Sequence, residues 1–465
     1  MTEASSSRGV LRRALQNAGL LLTGKAAAGF FQLCSFALAA RGLGLAEFGN
    51  FSIVLAQVQL LTGIAAFQSS QAVVRYGVVH LKSGNRRAFQ AMVKAGTLLD
   101  LGAALIAMMA TIAVAPLIGS RMGWDSELIR MAQIVSLLAL TNAIATPKGM
   151  LRLFGRFDLL TQHSVVTPLA RMVGVAACFA AGSSLWAYLA VWIAGGLLGA
   201  IVAVWLGWRE ARRRGLLEGM DASVRHISRD NHGIWGFSIV ANLHSSLALI
   251  PTHLATLLVG AFLSPAAAGL YKIAQEVGAG LAKPVELLNQ SVYPDVARLV
   301  SGGEWRRLTR TVIHAGLIAA GASGLITLLM TVAGRPVVAA VFGADYLAAL
   351  PVMLLILAAI TIGVLVFAVD AALYGLGRPS RSLLITLVAN VVFAGTLVWR
   401  LPIDGVIGAG WAYLAASVVT LALSVFWYRI ELSRAQRRSA EMRMPIVLSD
   451  HDPRIGNTNL RSPGP

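Results

Sequence analysis

Apolar stretches long enough to cross ~30 Å of hydrocarbon, at about 1.5 Å per residue, recur along almost all of this 465-residue chain. That recurrence decides the solvent. Such a chain does not bury one aqueous core; it stacks helices in a bilayer, where each helix satisfies its own backbone polar groups. Only 13% of the residues are charged and 57% are hydrophobic, whereas a soluble domain carries about 25% charge. The stretches fall near residues 16–40, 50–73, 89–119, 128–147, 159–181 and 185–208 in the first half. In the second half they fall near 233–259, 267–290, 311–334, 347–369, 381–399 and 405–428. About twelve transmembrane helices in an all-α membrane protein is the expectation. Arg12 and Arg13 precede an apolar run of about 27 residues, too long for a signal peptide, so it reads as a retained first helix.

The net charge of +18 raises the question of nucleic acid, and its placement answers it. Basic residues sit in short clusters between apolar stretches, as lysines and arginines do on the cytoplasmic face of a membrane. No basic surface interleaved with aromatics is present, so nucleic acid is not an expected partner. With both termini placed in the cytoplasm, twenty-nine lysines and arginines fall inside and five (Arg41, Arg121, Arg130, Arg335 and Arg400) outside. One helix more or fewer would scramble that asymmetry. Cys34 and Cys178 both lie in apolar stretches and read as small hydrophobes, with no disulfide or metal spacing. No cofactor is expected.

The two halves repeat. At an offset of 220 positions Leu43, Ala46, Gly49, Phe51 and Ile53 meet Leu263, Ala266, Gly269, Tyr271 and Ile273. Gly123 and Asp125 meet Gly343 and Asp345, and Phe154-Gly155 meets Tyr374-Gly375. The string Trp-Ala-Tyr-Leu-Ala occurs at Trp186–Ala190 and again at Trp411–Ala415. Six helices per half gives both halves one orientation, related by an axis along the membrane normal. The expected division is a cytoplasmic segment 1–13, a six-helix lobe 14–208 and a basic linker 209–232. A second six-helix lobe 233–430 and a disordered cytoplasmic tail 431–465 follow. Two lobes facing across a central cavity is the architecture of alternating access.

Ionisable side chains within lipid cost about 2.5–3.5 kcal/mol each on insertion scales, so each demands a reason. Five cations lie in the apolar stretches: Lys25, Lys94, Arg171, Lys272 and Lys283. Asp100, Glu276 and Glu286 lie there too, with Asp370 at the boundary. On the eighth stretch Lys272, Gln275, Glu276, Lys283, Glu286 and Gln290 share an arc of roughly 100°, with Pro284 placed to bend the helix. A polar stripe of that length faces protein or water. The alternative is local neutralisation, a Lys272–Glu276 pair with Lys283 reaching for the interface. His163, Thr167 and Arg171 line one face of the fifth stretch; Ser238, Asn242 and His253 line one face of the seventh, around Pro251. Lone polar residues of this kind are more often interhelical hydrogen-bonders than ligands, but Arg171, near mid-depth, cannot deprotonate or easily snorkel. Cations at several depths suit a multiply charged anion. The expected cavity residues are Lys25, Arg171, Lys272, Lys283, Asn242 and His253, with Asp100 or Glu276 as candidates for coupling to a proton or sodium gradient.

The run Ala40-Arg41-Gly42-Leu43-Gly44-Leu45-Ala46-Glu47-Phe48-Gly49-Asn50-Phe51 resembles the signature of Wzx-type polysaccharide flippases. These belong to the multidrug/oligosaccharidyl-lipid/polysaccharide (MOP) exporter superfamily. Gly269-Leu270-Tyr271-Lys272-Ile273-Ala274 is similar to the family's second-half counterpart, and Phe342-Gly343-Ala344-Asp345-Tyr346 to its loop before the tenth helix. The likeness spans residues 10–430. It implies a V-shaped pair of lobes in the bacterial inner membrane that turns an undecaprenyl-pyrophosphate-linked oligosaccharide outward for O-antigen, exopolysaccharide or capsule synthesis. Membrane lipids and a polysaccharide polymerase or co-polymerase are the implied partners. Lys25 and Lys272 occupy positions comparable to the family's cavity cations, whereas Arg171 departs from that pattern. A cation-coupled multidrug exporter of the same fold is the alternative, although its pocket would favour acids over cations. An O-antigen polymerase or ligase would need a large outer loop, and no outer loop here exceeds roughly a dozen residues. A lipid II flippase would often add two C-terminal helices where this chain has a polar tail. No catalytic constellation is present, so no enzymatic role is expected.

Overall fold

The computed structural model describes residues 2–220, 231 and 233–441, without the side chains of 2–18, 20–22, 282–291, 293, 294, 297, 379 and 438–441. Among these residues the chain is a succession of long helical rods. The first helix, Thr2–Ala65, bends at Gly44 (φ 72°, ψ 175°), a conformation essentially reserved for glycine. The bend divides it into α1 (2–43) and α2 (45–65), and α2 resumes as Ser69–Lys82 after a break at 66–68. Then follow α3 (Arg86–Met122), α4 (Ser126–Leu153), α5 (Phe157–Ala180) and α6 (Leu185–Arg213). The second half repeats the order as α7 (Ile234–Phe262), α8 (Pro265–Ser301), α9 (Trp305–Val341), α10 (Ala344–Gly375), α11 (Pro379–Asp404) and α12 (Ile407–Glu441).

Among the described residues ten segments are long and apolar enough to cross a membrane. The bent α1–α2 pair counts as one of them, and α8 is not among them, because Lys272, Gln275 and Glu276 dilute its apolar character. Local signals set the starts. Asp125 accepts a hydrogen bond from the Leu128 amide at 2.8 Å, and Ser264 accepts one from Ala267 with Pro265 in the first turn.

Three helices run across the expected boundaries. Helix α1 begins within the segment 1–13, α6 continues to Arg213 into the linker, and α12 continues to Glu441 through the start of the tail. The reason at the third is local: Glu431 is buried and held by Arg378, Arg381 and Arg434. Residues 221–230 and 232 of the linker and the tail beyond 441 lie outside the described residues. The irregular turns also fall elsewhere than expected. The backbone of α8 stays helical through Pro284, whereas α7 widens to a π-turn at Ile250–Leu254, around Pro251. Proline has no amide to give, and its ring crowds the carbonyl four residues back, so the ladder slips to wider bonds.

The buried clusters define the shape. The largest takes Phe36, Phe48, Phe51 and Trp192 from the first half together with Tyr271, Tyr346 and Ile356 from the second. Away from it the halves have separate cores, Val296, Leu308 and Leu373 in one and Phe89, Met92 and Met150 in the other. The two halves are joined at one end, the end of the α1–α2, α7–α8 and α9–α10 turns. Along one flank the start of α7 also leans on α2.

Candidate functional site

Two glycines make the joint. Gly49 of α2 and Gly269 of α8, partners in the 220-residue repeat, lie against each other. A methyl on Gly269 would stand 3.4 Å from the Gly49 Cα, and one on Gly49 would collide with the Pro265 carbonyl. Small residues let membrane helices approach closely enough for dispersion and backbone contacts to hold them. The pseudo-twofold relation between the halves therefore passes close to this crossing. Beside it Tyr346 donates to the Ala40 carbonyl at 2.9 Å, and Arg41 reaches across to the Ala339 and Ala340 carbonyls at the end of α9. Those carbonyls belong to the last turn of a helix, where intrahelical donors run out and a cation is favoured.

Below the joint, aromatic rings connect the cations. The Trp192 ring lies 4.9 Å from Phe36 and 5.1 Å from Phe51. Arg171 stacks over Trp192 at 4.5 Å and donates to the Trp192 carbonyl at 3.3 Å. Gly195 and Gly196 make room, since a methyl at Gly195 would come within 2.8 Å of the Arg171 Cγ. On the other side Lys272 lies 5.2 Å over Phe36. Thus Arg171 from one half and Lys272 from the other flank a single aromatic bridge. Cation–π contacts that exclude water are worth about 2 kcal/mol, which offsets part of the cost of burial.

Lys272 is 7% exposed and forms the local pair that the sequence left as an alternative, 2.9 Å from Glu276, with Gln275 Oε1 at 3.3 Å. Its other neighbours form a polar knot. Tyr271, Gln275 and Tyr413 donate to one carbonyl, that of Pro251, at 2.5, 3.1 and 3.0 Å. The π-turn frees that carbonyl for side chains from α8 and α12, and His253 of the same turn lies within electrostatic reach of Lys272. The structure therefore brings Lys272, Glu276 and His253 together and links them through rings to Arg171.

The other candidates sit apart. Asp100 is 2% exposed and takes bonds from Ser69, from the Thr146 amide at 2.8 Å and from the Thr146 hydroxyl at 2.7 Å. It pins the second part of α2 to α4. Asn242 donates to the Ile64 carbonyl at 3.2 Å, at the break in α2. Lys25 is half-buried where α1 packs on Thr161 and Ser164 of α5. Lys94 is exposed on α3. His163 is buried inside its own lobe, bonded to the Gly199 backbone. The side chains of Lys283 and Glu286 lie outside the described residues.

Sequence reasoning missed a clamp that occurs once per half. Glu210, near the end of α6, binds Arg156 at 2.8 Å and Arg214 at 3.0 Å. Glu431 of α12 binds Arg434 at 3.0 Å, Arg378 at 3.4 Å and Arg381 at 3.6 Å. In both cases the loop before the fifth helix of the half supplies the arginine. A hydrogen bond from Arg156 to Asp158 raises its pKa further, against desolvation and with help from Glu210. The signal was the repeat itself, which puts Arg156 and Arg378 on matching turns beside Phe154-Gly155 and Tyr374-Gly375.

Comparison with known proteins agrees with this geometry. Residues 14–300 match the family model described as Polysaccharide biosynthesis protein. The chain is 32% identical over 352 residues to inner membrane protein YghQ of Escherichia coli (strain K12), covering 73% of this chain and 96% of that protein. Among solved structures it resembles an inward-facing multidrug resistance MATE family transporter of the MOP superfamily, with TM-score 0.69, 14% identity and 89% and 96% of the two chains covered. It resembles the lipid II flippase MurJ in an inward closed conformation equally well, with TM-score 0.69, 12% identity and 91% of each chain covered. At these identities the likeness shows the fold alone. The chain is thus a multi-pass inner-membrane protein of the polysaccharide biosynthesis family, built on the MOP superfamily fold.

Proposed function

We propose that this protein is a flippase that carries an undecaprenyl-pyrophosphate-linked oligosaccharide from the cytoplasmic to the periplasmic leaflet by alternating access. The observation that carries the reading is the joined end: two halves with separate cores meet at a glycine crossing, Gly49 on Gly269, with Lys272 buried and Arg171 half-buried near it. In the proposed orientation the termini are cytoplasmic and the joined end is periplasmic, so the lobes separate toward the cytoplasm. The lipid tail stays in the bilayer while the diphosphate enters between the lobes.

Lys272 then acts as an exchangeable cation. Its partner Glu276 holds it at rest, and a diphosphate competes for it. Arg171, without a carboxylate partner among the described residues, supplies fixed charge through the aromatic bridge. Glu276 is the better coupling candidate, because the donors around Asp100 tie that carboxylate to the packing of its own lobe. The likeness to MurJ, a lipid II flippase, supports the class of cargo. The MATE neighbours support the multidrug exporter as the second reading, which these seam cations disfavour.

The test reconstitutes the protein in vesicles loaded with a fluorescent lipid-linked oligosaccharide and follows lectin access from outside. Arg171→Ala and the double variant Lys272→Gln, Glu276→Gln each slow flipping at least about tenfold while membrane levels and thermal unfolding stay close to the parent. The double change removes both charges, so it leaves no unpaired buried ion to blame. Parent-like flipping by both variants would remove these residues from the site. Cargo that never crosses, in a protein that exports cationic drugs, would favour the second reading.

A further inference from the structure

Between α8 and α9, at the end of the second half away from the joint, lies a cavity of about 500 Å³. Arg310, Thr311 and His314, on two successive turns of α9, give it a polar end. Val292 of α8, Ile318 of α9 and Phe367 of α10 line the rest. Arg310 and His314 are exposed, and the Arg310 guanidinium makes no ion pair or hydrogen bond among the described residues. His314 Nδ1 donates to the Arg310 carbonyl at 2.7 Å, which leaves Nε2 for an outside partner.

The first half does not keep this face open. The turn before α3 matches the turn before α9: Gly84 and Gly303 have φ of 68° and 67°, and Asn85 and Glu304 follow them. Beyond the turn, Phe89 and Val93 are buried in the same register as Leu308 and Val312. In that register Arg310 and His314 stand where α3 has Ala91 and Ala95. Both alanines are buried, and Ala95 clusters with Ala72 and with Ile234, the first residue of α7. One half thus closes this face with its own chain; the other, among the described residues, presents a cation and an imidazole beside an open cavity. The rest of α9 shows what lies against it. The helical face that bears Arg310 and His314 continues through Ile318, Leu325 and Val332, all exposed. An exposed apolar face of that length meets acyl chains.

We propose that this cavity binds an anionic phospholipid of the cytoplasmic leaflet, with its phosphate on Arg310 and the Thr311 hydroxyl and an acyl chain along the Ile318 face. In the orientation proposed above, on which this reading rests, the start of α9 lies at the cytoplasmic headgroups. Trp305, its first residue, is an aromatic of the interfacial kind. Basic pockets between membrane helices on that side suit anionic head groups. The phosphate takes donors from the guanidinium and the hydroxyl, and a head-group hydroxyl can meet His314 Nε2. A soluble anion would use the polar end alone, so the apolar walls are the part that selects a lipid. Bound there, the lipid fills the gap between α8 and α9 and braces α8, the helix that carries Lys272.

The experiment strips the full chain of lipid in detergent and counts bound molecules by native mass spectrometry. The titrants are dioctanoyl phosphatidylglycerol, dioctanoyl phosphatidylcholine and glycerol 3-phosphate, the last a head without chains. Phosphatidylglycerol binds its first site at least about fivefold more tightly than either of the others. Arg310→Gln, at an exposed side chain, weakens phosphatidylglycerol about fivefold. Lys94→Gln, which removes an exposed lysine from α3, leaves it as in the parent. The proposal is overturned if phosphatidylcholine or glycerol 3-phosphate binds as tightly as phosphatidylglycerol, or if Arg310→Gln keeps the parent's affinity. It is overturned too if Lys94→Gln weakens binding as much, which would show a general pull of positive charge on anionic lipid. Binding is read without cargo or gradient, so its failure leaves the flippase reading standing. A protein that holds the lipid and moves no lipid-linked glycan refutes the flippase reading alone.

Discussion

At the scale of single residues, Gly44 shows how tightly the joined end is specified. Its φ of 72° with ψ near 175° is a region that side chains with a Cβ avoid, at a cost of about 1–3 kcal/mol. Gly44→Ala is expected to lower the melting temperature in detergent by several degrees; an unchanged melting curve would mean that the bend relaxes freely. The glycine-rich run from Ala40 to Phe51 was visible in the sequence, and so was the cost of each buried charge. What answers those charges was not. The partners of Arg171 are a carbonyl and an indole 21 residues away on another helix, and a helical stripe cannot name its neighbours. Lys272 was legible on both counts, because Glu276 lies one turn along the same helix and helical periodicity alone brings them together. The groups that bind Asp100 were hidden in the same way, because Ser69 and Thr146 come from other helices.

At the scale of elements, hydropathy located the rods but not their breaks. Every expected stretch falls on a rod to within two residues at its ends, and only 50–73 crosses a break, since burying an apolar run needs only length and composition. The breaks at 66–68, the 3-10 stretch Ser136–Ile144 and the π-turn Ile250–Leu254 change hydrogen bonding without changing hydropathy. The clamps at Glu210 and Glu431 belong to this scale, each tying the last helix of a half to the loop before its fifth. The glutamates are 7% and 3% exposed and their arginines about a third to a half exposed. Breaking a fully buried pair costs 3–5 kcal/mol, and solvent around the arginines reduces this to about 1–3 kcal/mol. Glu210→Ala and Glu431→Ala are each expected to lower thermal stability, with additive effects because the clamps lie in different halves. Strong coupling between the two in a double-mutant cycle would show that the halves share one inner core, against the separate clusters seen here.

At the scale of the whole molecule, the offset of 220 residues carried the architecture. It predicted two like-oriented halves, and Gly49 on Gly269 places the axis between them. Motion between the halves is the central claim, and a reversible lock tests it most directly. Arg41→Cys and Ala340→Cys, in a Cys34→Ser, Cys178→Ser background, place a thiol on each side of the joined end. A short bifunctional thiol reagent with a reducible bridge then links them in the reconstituted protein. The account predicts that linking stops lectin-detected flipping of the lipid-linked oligosaccharide and that reductant restores it. Flipping at the unlinked rate with the lock closed would contradict it.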